Sequence, residues 1–183
     1  IGHDSAMKKI HTHEGYLMAW HTRLYQIPDE QYLIVILSNG GSAPLEKMFK
    51  GVCDILYNRQ AENMKPLIAY EISKNMSSGN LDKQLEKCRT YYITGQKSWD
   101  FNEAELNRLG YVTLLENKLA AVKIFGFITE IYPESWNAWD SYGESLAATG
   151  SNDKAIMVYE KSLELNPGNK AGKEALVKLK EIK

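Results

Sequence analysis

Residues 11–15 read His-Thr-His-Glu-Gly, a short run whose side chains suit either metal binding or acid–base chemistry. His11 and His13 are two positions apart, so on a β-strand their imidazoles share a face, and His-x-His is a spacing that zinc sites use. A zinc site needs a third ligand. His21 reaches that neighbourhood from a paired strand in one register alone, and His3 reads as part of a frayed end. No metal site and no cofactor are therefore expected, and His11 reads as a strand-surface histidine. His13 has another use: as a donor it can stabilise an oxyanion, while Gly15 lets a substrate approach the strand backbone. Glu14 between them would put a negative charge beside such a pocket.

The chain of 183 residues has room for one ordinary domain or two small ones, and 44% of it is hydrophobic. Its 22 Lys and Arg balance 23 Asp and Glu with no long run of one sign, which argues against a nucleic-acid partner. The longest apolar run, Tyr32 to Leu37, is far short of the roughly 20 residues of a membrane span. Cys53 and Cys88 stand alone in helical stretches and read as packed thiols. The start at Ile1-Gly2-His3, with no initiator Met or leader pattern, suggests a piece of something longer.

Two periods divide the sequence. Met7 to Gly15, Tyr16 to Ile27 and Gln31 to Ser38 have strand character, with turn residues Ile27-Pro28-Asp29-Glu30 between the last two. Ser38-Asn39-Gly40-Gly41 ends the sheet, Ser42 can cap a helix, and Leu45, Met48, Phe49, Val52, Ile55 and Leu56 form a helical stripe from Ala43 to about Asn58. The run Tyr-Leu-Ile-Val-Ile-Leu lacks polar alternation and predicts a strand covered on both faces, yet one helix covers only one. Part of the fold is therefore expected to be missing from this chain, or another chain or the C-terminal half supplies the second layer, with self-association of the sheet expected unless the helical repeats fold back over the bare face.

From Lys65 onward the period is helical and repeats. Ala121 and Ala155, Phe125 and Tyr159, and Pro133 and Pro167 are each 34 residues apart, while Leu109-Gly110 and Tyr142-Gly143 are 33 apart. That is the tetratricopeptide period. Gly110 and Gly143 let paired helices approach, the aromatic residues fill the space opposite, and the prolines stop each second helix. The prediction is α+β: a three-stranded antiparallel sheet with one helix over residues 1–60, then an all-α solenoid of helical hairpins over 61–183. Within the solenoid, 65–95 reads as a degenerate hairpin broken at Ser77-Ser78-Gly79-Asn80, 103–133 and 136–167 as full repeats, and 170–182 as a capping helix solvated by Lys173 and Lys180. Trp136, Trp139, Tyr142 and Tyr159 read as core, and Lys83, Lys87 and Arg89 as a solvated face. Stacked hairpins commonly present a peptide groove on their first helices, here predicted to include Asn107, Tyr111, Asn137, Asp140 and Glu144. The carboxylates Asp140 and Glu144 argue against an acidic peptide tail as ligand. A role as buttress without a peptide ligand is the other reading.

His13-Glu14-Gly15, an aromatic after Ala19, the turn at Pro28, an apolar strand ending Ser38-Asn39 and a last helix together resemble the C-terminal end of serine β-lactamase and penicillin-binding-protein-like hydrolases of the class C and esterase type. Many such hydrolases also carry a helical-repeat tail. The resemblance implies that His13 and Gly15 are the third active-site box of a parent enzyme that opens an acyl bond through a serine, in a bacterial cell-envelope setting. Its S-x-x-K and Y-x-N boxes are expected to lie outside this chain, since Ser73 and Ser162 precede no Lys at the needed spacing. The chain alone is then inert, and its partners are the missing hydrolase part and a peptide or protein in the groove. The competing reading is a non-enzymatic interaction module with a docking sheet.

Overall fold

The alternating N-terminal segment forms a sheet in a computed structural model that describes residues 2–3, 9–17, 20–38, 44–74, 76, 79–95 and 98–181. Its strands are β1 (Gly2–His3), β2 (Lys9–Leu17), β3 (Trp20–Ile27) and β4 (Tyr32–Ser38), all antiparallel in the order β1-β2-β3-β4. Two details differ from the sequence reading. His3 is paired with Lys9 instead of frayed, and β2 runs through Gly15 to Leu17, with Leu17 opposite Trp20. Gly15 does not end the strand; it makes room across it, since a Cβ there would lie 2.7 Å from Thr22 Oγ1. Pro28–Glu30 form a 3-10 turn closed by Gln31 at φ 59°, a left-handed residue that reverses the chain into β4.

One helix, α1 (Leu45–Leu56), covers one face of this sheet. Phe49 lies flat on Tyr25, ring centroids 3.8 Å apart, and with Cys53, Ile10 and Ile27 makes a small core flanked by Ile34 and Ile36. The expected Ser42 cap falls outside the described residues. Leu33, Val35 and Leu37 of β4 point the other way and are 61%, 53% and 73% exposed. Among the described residues the strand is therefore apolar on both sides and covered on one.

Residues Ile1–Met64 and Lys65–Lys183 form two compact units. The second is α2 (Ile68–Lys74), α3 (Leu81–Ile93), α4 (Glu103–Glu116), α5 (Lys118–Ile131), α6 (Trp136–Ala148), α7 (Asn152–Leu165) and α8 (Lys170–Glu181). Side-chain caps start four of these helices: Asn102, Asn117, Ser135 and Asn169 accept from the N–H groups of Glu105, Ala120, Ala138 and Gly172. The glycines act as the repeat pattern requires. A Cβ at Gly110 would lie 2.5 Å from Phe125 Cζ, and one at Gly143 3.0 Å from the Tyr159 ring.

Several packing assignments need correction. Trp136 is the first residue of α6 and is 39% exposed, and Trp139 is half-buried with its indole N–H donating to the Pro133 carbonyl at 2.7 Å. Tyr159 is buried and Tyr142 packs beside it. Arg89 is no solvated lysine-like charge: its guanidinium grips Glu130 of α5 through Nε at 2.5 Å and a second nitrogen at 2.9 Å, tying α3 to α5. On α8, Lys173 is exposed and Lys180 pairs with Glu160 of α7 at 2.8 Å. Cys53 and Cys88 are buried thiols, and burial pushes the Cys88 thiol up to about 11. Among the described residues no helix is long and apolar enough to cross a membrane.

Candidate functional site

Strand pleat and register decide what the histidine segment can do. His11 pairs with Gln26, His13 with Leu24 and Gly15 with Thr22, and these continue across β4 as Leu33, Val35 and Leu37. Paired residues share a face, so His11, His13 and Gly15 stand on the open, leucine-rich face of the sheet. Glu14 pairs with Arg23 and therefore belongs to the α1 side. The expected negative charge beside His13 is thus on the opposite face of the sheet. There Glu14 Oε1 lies 2.5 Å from His21 Nε2, and this hydrogen bond holds the Glu14 carboxyl below the usual range, with help from Arg23. His21 shares the face of Glu14, not that of His11 and His13, so the register removes it as their third ligand. Among the described residues no group of three or more His, Cys, Asp or Glu is placed to hold a metal ion.

On the α1 side a polar cluster had no signal in the sequence. Glu46 Oε2 accepts from Arg23 at 2.8 Å and from the Tyr25 hydroxyl at 3.1 Å. Burial, and next the Glu46 charge, push the Tyr25 phenol up to about 12. Ser73 and Ser162 are structural, donating to the Tyr70 carbonyl at 2.8 Å and the Trp136 carbonyl at 2.9 Å. The S-x-x-K spacing does occur, contrary to the expectation, at Ser5-Ala6-Met7-Lys8 and Ser151-Asn152-Asp153-Lys154. The first lies outside the described residues. In the second, Ser151 precedes α7 with its hydroxyl 3.2 Å from that of Thr149, and Lys154 is exposed.

The five groove residues lie on successive turns of α4 and α6. Tyr111 bridges the helices: its hydroxyl donates to Glu144 Oε2 at 2.8 Å and lies 3.1 Å from the Ser141 hydroxyl. Burial foremost pushes this phenol up to about 12. Asp140, one turn before Glu144, accepts from Asn169 Nδ2 at 2.6 Å, and Asn169 Oδ1 in turn accepts the Gly172 N–H that opens α8. Burial raises the Asp140 carboxyl above the usual range; the Asn169 bond opposes this and the Glu144 charge adds to it. Among the described residues, neither Asp140 nor Glu144 is paired with a Lys or Arg. Asn107, one turn before Tyr111, has a buried Oδ1 with no hydrogen-bond partner, and Asn137 is half-buried at the start of α6. Ser141 and Asn169 were missed in the sequence. Asn169 was findable, because it follows the helix cap Ser135 by one 34-residue period and caps the next helix in the same way.

Hairpins that repeat with this period and pack glycine against an aromatic ring define a helical-repeat protein, and residues 136–179 match the tetratricopeptide repeat family. Those residues run from the first residue of α6 into α8. Among solved structures, the chain is similar to the first TPR of Spaghetti (RPAP3) bound to an HSP90 peptide, at 18% identity over 63% of this chain and 89% of that one with a TM-score of 0.44. It is similar to a point mutant of MamA at 19% identity over 62% and 81%, TM-score 0.48. It is also similar to the Arabidopsis OM64 TPR domain at 18% identity over 62% and 94%, TM-score 0.43. No curated protein matches the chain.

Proposed function

We propose that the helical unit is a peptide-binding module whose groove crosses α4 and α6 and takes an extended segment carrying Lys or Arg. The observation that carries this reading is a surface of acceptors short of donors. Asn107 Oδ1 is buried without a partner, and the Asp140 and Glu144 carboxylates meet only the neutral donors Asn169 and Tyr111. A cationic side chain offers charge-assisted bonds to the two carboxylates. An acidic tail would bring only further acceptors. The test is fluorescence anisotropy with labelled extended peptides of equal length, one rich in Lys and Arg and one rich in Glu. The basic peptide is expected to bind with an affinity that falls as salt rises, and Asp140→Asn with Glu144→Gln to weaken it about tenfold, the worth of roughly one charge-assisted bond. Binding of the acidic peptide alone would overturn this reading.

A second reading concerns the sheet. Residues 1–60 are, in this view, the C-terminal part of a serine β-lactamase or penicillin-binding-protein-like hydrolase, joined to repeats over 61–183. Its support is that His13 and Gly15 stand on one strand face beside exposed Leu33, Val35 and Leu37, a face ready for a further layer. The parent would open an acyl bond through a serine, with His13 stabilising developing negative charge. With no Y-x-N box, the chain alone is expected to give no turnover of a chromogenic ester or β-lactam above buffer. Turnover lost on His13→Ala would show instead that the chain is itself an enzyme.

A further inference from the structure

The free edge of the sheet carries a segment that matches its own copy. β4 is last in the strand order, so among the described residues its outer edge has no strand against it. Edge strands usually carry Lys, Glu, Pro or a bulge that discourages pairing. Tyr32-Leu33-Ile34-Val35-Ile36-Leu37-Ser38 carries no such residue and pairs residue for residue with β3 throughout, without a bulge. Its centre, Leu33-Ile34-Val35-Ile36-Leu37, reads the same in both directions. An antiparallel two-fold axis at Val35 therefore sets each Leu33 opposite a Leu37, each Ile34 opposite an Ile36, and Val35 opposite itself. Such pairing also preserves the faces: the exposed residues Leu33, Val35 and Leu37 of both copies become neighbours on one side of the seam.

We propose that two copies of the chain join through β4, antiparallel about Val35, to make one continuous sheet. Stacking of the open faces is the competing arrangement, and it would take exposed His13 and Gln26 out of water. Edge pairing leaves His13 and Gln26 in water and brings Leu33, Val35 and Leu37 of the two copies side by side. It also closes. The opposite edge is β1 over Lys9 and Ile10 and β2 itself beyond them, where exposed Thr12, His13 and Glu14 discourage a second pairing, so the assembly stops at a dimer.

Sedimentation equilibrium of the full chain tests this, with a dimer as the expected result. Val35 is 53% exposed on the face away from α1, so a charge there leaves the core intact, which circular dichroism verifies. Val35→Lys and Val35→Glu each set like charges opposite one another and are expected to weaken the dimer about tenfold or more, while an equal mixture of the two restores it. Val35→Cys supplies a second measurement: on mild oxidation it is expected to link two chains through the axis, the native Cys53 and Cys88 being buried. A wild-type chain that stays monomeric at its highest soluble concentration would overturn the proposal. So would open-ended oligomers, a mixture that fails to restore the dimer, or a Val35→Cys chain that does not cross-link.

Discussion

Replacing Phe125 with Ala is expected to cost about 3–5 kcal/mol, the range for emptying a fully buried aromatic site. Phe125 is 0% exposed, its ring fills the space above Gly110, and it meets Tyr111 edge-on at 5.1 Å. The surroundings cannot collapse into the gap cheaply, because the opposite wall is helix backbone. Gly110→Ala approaches the same contact from the other side. Removing a helical glycine gains up to about 1 kcal/mol, but a Cβ 2.5 Å from Phe125 Cζ overpacks the interface at about 1–3 kcal/mol, so the variant is destabilised on balance. Gly143→Ala, whose Cβ would lie 3.0 Å from the Tyr159 ring, is expected to lose less. Urea unfolding followed by far-ultraviolet circular dichroism measures all three. A loss below about 1 kcal/mol in Phe125→Ala would mean that the two helices do not pack through this contact.

The same contact explains why the helical half was legible in the sequence. Its signals are local and repeated: a glycine, an aromatic residue 15 or 16 positions later, and a proline after that, recurring at 33 or 34 residues. Each has a steric reason that holds in any repeat of this type. What the repeat pattern does not carry are the pairings between unlike elements. Arg89 with Glu130 and Lys123 with Asp82 each join residues 41 apart, and neither follows from the period. Trp136 was misread for a related reason: large aromatic residues suggest core, yet its place on the first turn of α6 leaves it exposed.

In the sheet half, β4 shows no polar alternation, but the two-residue period of any strand puts Leu33, Val35 and Leu37 on one face, and they do lie together on the open one. Partner choice across strands was not legible, because it depends on register. Gly15 suggested a strand end, since glycine so often marks one, while its actual reason is the Thr22 side chain across the ladder. Glu14 suggested a charge near His13, while the pleat sends it to His21. For the groove, spacing placed Asn107, Tyr111, Asp140 and Glu144 on successive turns of the first helices, and the period reaches Asn169 through Ser135, but the hydroxyl of Ser141 that completes the network has no distinctive signal of its own.

Phe49→Ala is expected to unfold the sheet unit and leave the helices standing. Phe49 is 5% exposed and stacked on Tyr25 with ring planes 4° apart, and among the described residues the buried cluster is Ile10, Tyr25, Ile27, Phe49 and Cys53, with Ile34, Ile36 and Tyr57 against it. Removing the ring costs about 3–5 kcal/mol by the same reasoning as at Phe125. A unit of this size buries a modest share of its surface and has only about that much stability to lose. Tyr25 also loses the platform that aligns its hydroxyl with Glu46, so the Arg23–Glu46–Tyr25 cluster loosens too. The repeats have separate cores, one around Phe125 and Phe127 and one around Leu146 and Tyr159, and each hairpin buries its apolar face on its neighbours. In the full chain the variant should keep its helical far-ultraviolet signal and its unfolding midpoint, while limited proteolysis cuts freely before Met64. Residues 65–183 expressed alone should give the same helical spectrum. A variant that loses sheet and helices in a single transition, or a coil spectrum from 65–183, would show that the repeats depend on the sheet for their fold.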